Sequence, residues 1–528
     1  MRRLLVLALL ASTLTVAGSA SGGVATSAIE AAYPNPVADG DAGEFVVLSV
    51  PPGTDLAALE LGDGESRVRL PNTTAGGQVT LSTDPGVTRE LLDRQVYRLP
   101  DRIQLANGGE RIRLYHRGRV VDTLGYRAAP EGELRFRGGE RRWRPLGATD
   151  REVVTAGAGR VRAFVLPDAP HVAIEHIRTA DDRVLLAGYT LTSGRVADAL
   201  VARARANVSV RVLVDGNPVG GMTTRQAAVL DRLDRAGVDV RLLGGDRARY
   251  RFHHAKYAVA DDRALVTTEN WKPAGVGGRG SRGWGVVTNQ STVVGGFVAT
   301  FRADAGWHDA RPWDGMRDSR EFAESEPANG TYPSRIAPER VAVERTRLLV
   351  APDNAEGEIV RAIERANESL AVEQVSLGDR RQPFVRATLD AARRGVRVRV
   401  LLSGAWYVRG ENERIAAWLN DRADAEGLPL TARIADPRGR FEKIHAKGIV
   451  VDGEQVLLGS LNWNNNSARR NRETVLVLDG AEVGAYYQRV FDADWRGGGW
   501  RLPVGFVAAL VVVAAVALLG AREIRFER

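Results

Sequence analysis

Short apolar runs separated by turn residues fill the chain between residues 30 and 127. Runs such as 44–48 and 120–124 are bounded by clusters of proline and glycine such as 51–53. Strands of this length and spacing are typical of two packed antiparallel sheets. The pattern therefore predicts a β-sandwich over residues 30–127.

From residue 161 onward the hydrophobic pattern changes and then repeats. Runs of β-branched residues alternate with helical stretches, and the run 210–214 in one copy matches 398–402 in the other. This alternation is typical of βαβ units. It predicts two duplicated α/β halves, 161–307 and 346–496, each with a mixed, mostly parallel sheet.

Two segments that lack this pattern separate the predicted domains. Residues 128–160 include a basic stretch at 135–144 with two aromatic residues, which could contact nucleic acid or phosphate. Residues 308–345 are rich in proline, glutamate, arginine and serine. Both segments are predicted to be linkers.

The two ends of the chain carry export and membrane signals. Two arginines, an apolar run and small residues predict a signal peptide over residues 1–22, with an uncleaved anchor as the alternative. Residues 503–521 contain no charge and are long enough to cross a bilayer, and arginines follow in 522–528. The prediction is a single-pass cell-membrane protein with a transmembrane helix at 503–521, an extracellular ectodomain and a cytoplasmic tail.

Composition adds less than the pattern does. The chain has 73 basic and 65 acidic residues, a net charge of +8 and an isoelectric point near 9.9. This balance favours anionic partners, although arginines spread over a solvated surface would produce the same charge. Since the chain has no cysteine, disulfides, thiolate metal sites and cysteine nucleophiles are excluded.

The candidate chemistry lies in a pattern that occurs twice. Only four of the basic residues are lysines, and two of them follow a histidine as His254-Ala255-Lys256 and His445-Ala446-Lys447. Each copy reaches an aspartate five residues after its lysine, at Asp261 and Asp452. The remaining histidines have no ligand-like spacing, so neither a metal nor a cofactor is expected.

The second copy predicts a site for a phosphodiester. Strand alternation places His445 and Lys447 on one face, and a returning strand brings Ser460 and Asn462 beside them. The ammonium, hydroxyl and amide groups can hold phosphate oxygens, while an imidazole can attack phosphorus or protonate the leaving oxygen.

These residues resemble the signature of the phospholipase D superfamily, H-x-K-x4-D-x6-G-S-x-N, at every fixed position from His445 to Asn462. Glu473 stands where that family carries a glutamate that orients a histidine. The resemblance implies that both motifs form one site at a pseudo-twofold axis without a metal. It also implies that one histidine forms a phosphohistidine and the other acts as general acid and base. Family precedent favours His254 as the nucleophile and His445 as the acid, although the residues alone do not decide this.

The first copy departs from the signature. Its turn is one residue shorter, so Thr268 replaces the serine and Asn270 retains the amide. No glutamate follows in residues 272–287; Arg279 and Arg282 there are expected to contact substrate phosphate, or else Glu269 orients a histidine. Asp261 and Asp452 are expected to be structural salt-bridge partners.

Residues 43–48 and 105–110 also resemble the lamin-tail domain, an immunoglobulin-like module. The expected protein is therefore an immunoglobulin-like β-sandwich followed by a membrane-anchored extracellular phosphodiesterase. Its expected partners are the membrane and a phosphodiester substrate, either DNA or RNA or phospholipid. The alternatives are an impaired surface protein that binds phosphate-containing ligands and a phosphatidyltransferase. The oligomeric state stays open, because two motifs in one chain permit a monomer.

Overall fold

The computed structural model describes residues 26–36, 39–92, 95–100, 103–138, 143–245 and 248–497. The chain divides into two compact units at the peptide bond between Leu146 and Gly147. The predicted signal peptide, the predicted transmembrane helix and the predicted cytoplasmic tail all lie outside the described residues.

The first unit contains two β-sheets. Its strands β1 to β10 are Ala28–Tyr33, Phe45–Asp55, Leu59–Gly62, Arg67–Arg69, Thr74–Ser82, Val96–Arg98, Glu110–His116, Arg119–Tyr126, Glu133–Phe136 and Trp143–Pro145, and its helix α1 is Pro85–Leu92. The sheets have the orders β10-β9-β1-β2-β5-β6 and β4-β3-β7-β8. Buried side chains from both sheets, such as Leu48 and Ile112, share one apolar core.

The sandwich continues beyond the sequence boundary at residue 127. Strands β9 and β10 fall within the predicted linker 128–160, yet β9 pairs antiparallel with β1 and β10 pairs with β9. Edge strands this short carry too few apolar residues for their pattern to separate them from a linker.

The second unit begins with the first α/β half. Strands β11 to β20 are Val154–Ala156, Gly159–Leu166, Arg183–Gly188, Ser209–Asp215, Asp239–Leu243, Tyr257–Ala260, Arg263–Thr267, Ser281–Thr288, Ala310–Pro312 and Glu339–Val343. Helices α2 to α5 are His171–Arg178, Gly194–Arg205, Thr224–Asp234 and Ser291–Ala305. Strands β19 and β20 lie in the predicted linker 308–345 and join the edges of the first half's sheet.

The second half repeats this order of elements. Strands β21 to β28 are Arg345–Ala351, Ser369–Gln374, Arg397–Leu402, Leu430–Ile434, Lys443–Ile444, Gly448–Val451, Gln455–Gly459 and Glu473–Asp479. Helices α6 to α10 are Ala355–Glu364, Pro383–Arg393, Arg409–Glu426, Asn465–Arg469 and Ala481–Arg496. Two strand pairs also link the halves: β11 pairs with β21, and β25 pairs with β18.

The sheets are mixed, but the prediction that they are mostly parallel is wrong. In these two sheets, β13-β14-β15 and β22-β23-β24 pair in parallel, as does the short contact of β18 with β25. The other strand pairs of these two sheets are antiparallel. Parallel neighbours need a long crossover, which the helices provide, whereas tight turns can join only antiparallel strands. Such turns connect β16 to β17 at Asp261 and β26 to β27 at Asp452, where φ is 51° and 53°.

The predicted fold also ended in a membrane-spanning helix, and this part is contradicted. Across the described ranges, no helix has both the length and the apolar character needed to cross a bilayer. The longest of these helices, α8, has 18 residues but carries charged side chains along its length. The prediction of a single-pass membrane protein with an extracellular ectodomain is therefore not retained.

A buried arginine from the first half joins it to the second. Arg282, on β18, lies 2.6 Å from Asp168 of its own half and 2.8 Å from Asp494 of α10 in the other half. All three side chains are almost completely buried. Because a buried charge is costly without a partner, this contact requires both halves to be in place.

The second half supplies the equivalent arginine. Arg472, immediately before β28, lies 3.0 Å from Asp304 of α5 and 3.5 Å from Asp353. An apolar core formed by both halves surrounds these ion pairs, and Trp284 stacks on Tyr487 with ring centroids 4.8 Å apart. The two halves are thus held together by the same buried contact made twice.

Replacement of Arg282 by methionine is expected to lower the free energy of unfolding by about 3–5 kcal/mol, because Asp168 and Asp494 lose a buried cation. Urea titration of the full chain measures this change. The exposed pair of Arg393 with Glu426 provides the control, and Arg393→Met is expected to change stability little. Equal stability of the two variants would show that the buried pair does not join the halves.

Candidate active site

The two histidine-lysine motifs occupy equivalent positions in the halves. Each motif lies immediately before the first strand of its hairpin, β16 or β26. In both copies the lysine Nζ donates a hydrogen bond to the carbonyl of the histidine two residues earlier, at 2.7 Å for Lys256 and 2.8 Å for Lys447. The lysine and histidine are therefore held together locally in each half.

Each histidine takes its orientation from the opposite half. The backbone N–H of His254 donates to the carbonyl of Arg472, and that of His445 donates to the carbonyl of Arg282, both at 2.9 Å. The arginines that join the halves thus also hold the histidine backbones. This arrangement brings both motifs into one site.

His254 is paired with a carboxylate from the second half. Its Nδ1 lies 2.9 Å from Oε1 and 2.8 Å from Oε2 of Glu473, which is completely buried. Asn471 donates to Glu473 Oε1 at 3.0 Å and steadies the carboxylate. With its Nδ1–H donated to Glu473, the imidazole presents the lone pair of Nε2.

His445 has a different set of partners, and they come mainly from the first half. Its Nδ1 lies 3.2 Å from Oε2 of Glu269, 3.1 Å from the carbonyl of Thr268 and 3.3 Å from Nζ of Lys447. Glu269 is buried. The expectation that Glu269 orients a histidine therefore has a direct counterpart in the geometry.

Burial and neighbouring charges set the ionisation of the site. Burial, reinforced by nearby Lys256, lowers the pKa of His254 to about 4 against the opposing effect of Glu473. Burial and Lys447 likewise lower the pKa of His445 to about 4, against the opposing effect of Glu269. Both imidazoles are therefore neutral at pH 7.

The carboxylate and the lysines are also perturbed. Burial alone raises the pKa of Glu473, but His254 and Lys256 outweigh it, and the net pKa lies below the usual value. Burial lowers the pKa of Lys447 to about 8 and that of Lys256 well below its usual value. An incoming phosphate anion would favour the protonated lysines and histidines, since opposite charges stabilise each other.

The hydroxyl residues occupy matching turns. Thr268 Oγ1 accepts a hydrogen bond from the backbone of Trp284, and Ser460 Oγ accepts one from the backbone of Thr474, both at 3.0 Å. Asn270 and Asn462 follow two residues later in each turn. The side-chain Oδ1 of Asn270 is buried without a protein partner.

The motif aspartates are structural, although not through the salt bridges that were expected. Asp261 accepts hydrogen bonds of 2.7–3.0 Å from the backbone N–H groups of residues 181–183. Asp452 accepts bonds of 2.8–3.2 Å from those of residues 367–369. Each carboxylate ties its hairpin to the start of the neighbouring strand.

The two arginines of the first copy do not behave as predicted. Arg282 is completely buried in its ion pairs with Asp168 and Asp494, so the prediction that it contacts substrate is wrong. The sequence could not show this, because the acidic partners lie 114 and 212 residues away. Arg279 is exposed on the loop before β18, and its contact with substrate stays a prediction.

Sequence reasoning missed Tyr189. Its ring contacts the ring of His254 at a centroid distance of 4.8 Å and lies 5.6 Å from Lys256 Nζ. Tyr189 follows β13 in no recognisable motif, so only the tertiary structure places it in the site. Within the described part of the chain, no cluster of three or more histidine, aspartate or glutamate side chains is arranged to hold a metal.

Two matched segments link the chain to a known family. The family described as "Cardiolipin synthase, PLD-like domain" matches residues 173–305 and 359–495, which together make up just over half of the chain. Among curated proteins, the mitochondrial cardiolipin hydrolase of Xenopus tropicalis is 33% identical over 113 residues, covering 21% of this chain and 49% of that protein. The phospholipase D of Rickettsia prowazekii (strain Madrid E) is 26% identical over 129 residues, covering 24% and 57%. The chain spans about half the length of these curated relatives.

Solved structures include similar chains. The phosphatidylserine synthase of Haemophilus influenzae Rd KW20 has a TM-score of 0.48 and 14% identity, covering 64% of this chain and 84% of that chain. The phospholipase D family member Nuc of Salmonella typhimurium has a TM-score of 0.26 and 18% identity, covering 29% and 97%. Since each matched segment contains one histidine-lysine motif and together they span just over half of the sequence, the chain belongs to the phospholipase D-like family.

Proposed function

We propose that this protein is a phosphodiesterase of phospholipase D type, which cleaves its substrate through a phosphohistidine. The observation that carries the proposal is the reciprocal pairing of each histidine with a carboxylate of the opposite half, His254 with Glu473 and His445 with Glu269. A histidine whose Nδ1–H is held by a carboxylate presents a basic Nε2, which nucleophilic and acid-base catalysis both require.

In the first step, His254 Nε2 attacks phosphorus, and the bond from phosphorus to the leaving oxygen breaks. His254 is the better nucleophile because both oxygens of the ionised Glu473 lie within 2.9 Å of its Nδ1 and stabilise the positive ring that forms. Protonated His445 gives its proton to the leaving oxygen. Lys256 and Lys447, with Asn270 and Asn462, hold the non-bridging oxygens.

In the second step, water replaces the leaving group. Neutral His445 now accepts a proton from water, whose oxygen attacks phosphorus and breaks the bond to His254 Nε2. The products are the phosphate monoester and the free enzyme. An alcohol in place of water would transfer the group instead, by the same bond changes.

The similarity to a cardiolipin hydrolase and to a phospholipase D supports a phospholipid substrate. The alternative of an impaired binding protein depended on the missing glutamate of the first copy. Glu269 provides a carboxylate 3.2 Å from His445, which removes that argument.

Replacement of either His254 or His445 by alanine is expected to reduce hydrolysis of a nitrophenyl phosphodiester by about 10²- to 10⁴-fold, the range typical of acid-base groups. Release of nitrophenolate by the full chain in EDTA measures this loss. His171 is exposed at the start of α2, and His171→Ala is expected to retain full activity. Turnover that survives the loss of both site histidines would contradict the proposal.

The roles of the two histidines are separable with the same substrate. Nitrophenolate leaves without protonation, so His445→Asn should still form the covalent intermediate but hydrolyse it slowly. Mass spectrometry of quenched enzyme is expected to find phosphorus on the peptide that contains His254. The same experiment on His254→Asn should find none. Phosphorus on the peptide that contains His445 would instead show that His445 is the nucleophile and His254 the general acid.

A further inference from the structure

The carboxylate beside His445 occupies an unusual position in its half. Thr268 and Ser460 are equivalent, because their backbone N–H groups donate to the carbonyls of Trp284 and Thr474, each at 2.9 Å. The residue before Thr474 is Glu473, which pairs with His254. The residue before Trp284 is Gly283, which has no side chain to offer.

The side chain of Glu269 fills the space that Gly283 leaves open. A Cβ atom added to Gly283 would lie 2.3 Å from Cγ and 2.7 Å from Oε1 of Glu269, far inside van der Waals contact. The residue equivalent to Glu269 in the second half is Leu461, which lies in an apolar core. The first half therefore has its glutamate at the first of these positions and glycine at the second. The second half has leucine at the first position and glutamate at the second.

We propose that Glu269 is a relocated positioning residue, which performs for His445 the task that Glu473 performs for His254. The inference rests on the proposed function of the two histidines. Steric exclusion links the two positions: a glutamate at 283 and one at 269 cannot both fit, and a glycine at 283 is what allows Glu269 to reach the imidazole.

The relocation makes the two histidine pairs unequal. Glu473 contacts His254 Nδ1 with both oxygens, whereas Glu269 contacts His445 with one oxygen at 3.2 Å and its Oε1 is buried without a hydrogen bond. His445 also shares its Nδ1 with the carbonyl of Thr268. A ring held more loosely suits a group that exchanges protons rather than one that forms a covalent bond.

The decisive experiment moves the carboxylate from position 269 to position 283, which is equivalent to Glu473 in the second half. Glu269→Ala is expected to lower kcat for the nitrophenyl phosphodiester by about 10-fold or more, because His445 loses its partner and accepts the proton of the attacking water less well. With alanine at 269, the side chain that would clash with a residue at 283 is gone. Adding Gly283→Glu to that variant is therefore expected to restore most of the lost activity. Gly283→Glu alone should be impaired, since both side chains then compete for one space.

A second readout separates positioning from folding. Glu269→Gln keeps the shape but removes the charge that raises the pKa of His445. Because neutral His445 accepts the proton of water when the intermediate is hydrolysed, the acidic limb of the kcat profile is expected to move to lower pH. Glu442→Gln, an exposed acid three residues before His445, is the control and should leave the profile unchanged. An unshifted profile for Glu269→Gln, or no recovery in a folded double variant, would overturn the relocation. Absence of turnover in the unsubstituted protein would instead overturn the proposed function.

A separate observation concerns the surface around the site. In the described part of the second unit, the exposed large apolar side chains are Val219, Trp406 and Tyr407, with exposed fractions of 78%, 88% and 46%. Val219 follows β14 and Trp406 follows β23, the central parallel strands of the two halves. Both loops therefore lie at carboxyl ends of parallel strands, where α/β folds place their ligands.

Each loop is connected to one histidine. The N–H of Val219 donates to Tyr189 Oη at 2.5 Å, and the Tyr189 ring contacts His254. On the other side, Lys443 Nζ lies 5.5 Å from the Tyr407 ring and precedes His445 by two residues. The loop that carries Val219 and the loop that carries Trp406 and Tyr407 thus lie on either side of the two histidines. We call the surface formed by these three residues the mouth of the site.

We infer that this mouth docks on the surface of a phospholipid bilayer that contains anionic lipid. Tryptophan and tyrosine favour the boundary between lipid headgroups and hydrocarbon, and exposed Arg251 adds positive charge near His254. Stacking on nucleic acid bases would explain the aromatic rings but not Val219, which has no aromatic face.

The absence of cysteine makes this docking measurable in the full chain. Val219→Cys and Trp406→Cys, each labelled with a polarity-sensitive dye, are expected to shift their emission to the blue with vesicles of phosphatidylcholine and phosphatidylglycerol. Ala425→Cys is the control and should not respond. Ala425 is exposed and lies about 24 Å along α8 from the start of the helix, which follows the loop that carries Trp406. A response to single-stranded DNA and not to vesicles would reassign the mouth to nucleic acid, and no response to either would overturn the inference.

A kinetic comparison tests the same surface during turnover. Trp406→Ser is expected to slow hydrolysis of vesicle phospholipid by about 10-fold while leaving the soluble nitrophenyl phosphodiester unaffected. Equal effects on both substrates would show that Trp406 acts on the chemistry rather than on docking. Since the dye measurement requires no turnover, failure of the proposed function would not be mistaken for failure of docking.

Discussion

Two buried arginines hold the two α/β halves together and position the candidate site. Arg282 and Arg472 each neutralise aspartates from both halves, in surroundings where an unpaired charge would be strongly destabilising. Their backbone carbonyls accept the N–H groups of His445 and His254. The contact that joins the halves and the contact that places the catalytic candidates are therefore made by the same residues.

This coupling explains why each histidine receives its carboxylate from the other half. Arg472 holds the backbone of His254, and the residue after Arg472 is Glu473. His254 therefore lies next to Glu473. His445, held by Arg282, lies next to Gly283, and Glu269 enters the space from the adjacent turn. The duplicated framework thus tolerates a change in the origin of a carboxylate as long as the carboxylate reaches the same imidazole nitrogen.

Much of the architecture could be predicted from the sequence because it rests on local patterns. The sheet directions were predicted less well, since apolar runs show where strands occur but not which strands become neighbours. Short hairpins at Asp261 and Asp452 make β16-β17 and β26-β27 antiparallel, and strands distant in the sequence, such as β13 and β16, also pair antiparallel. The strands in the two predicted linkers were missed for a related reason: β9 and β20 are stabilised by neighbours that are distant in the sequence.

The sequence by itself determined the motif residues, their duplication and the hydroxyl and amide groups of each turn, because all of these lie within short stretches of chain. Only the tertiary structure decided which partner each group meets. Arg282 became an interior ion pair rather than a substrate contact, and Glu473 reached a histidine 219 residues away. The physical reason is that the orientation of an imidazole and the neutralisation of a buried charge depend on distances of about 3 Å between atoms, and only packing of the two halves sets those distances.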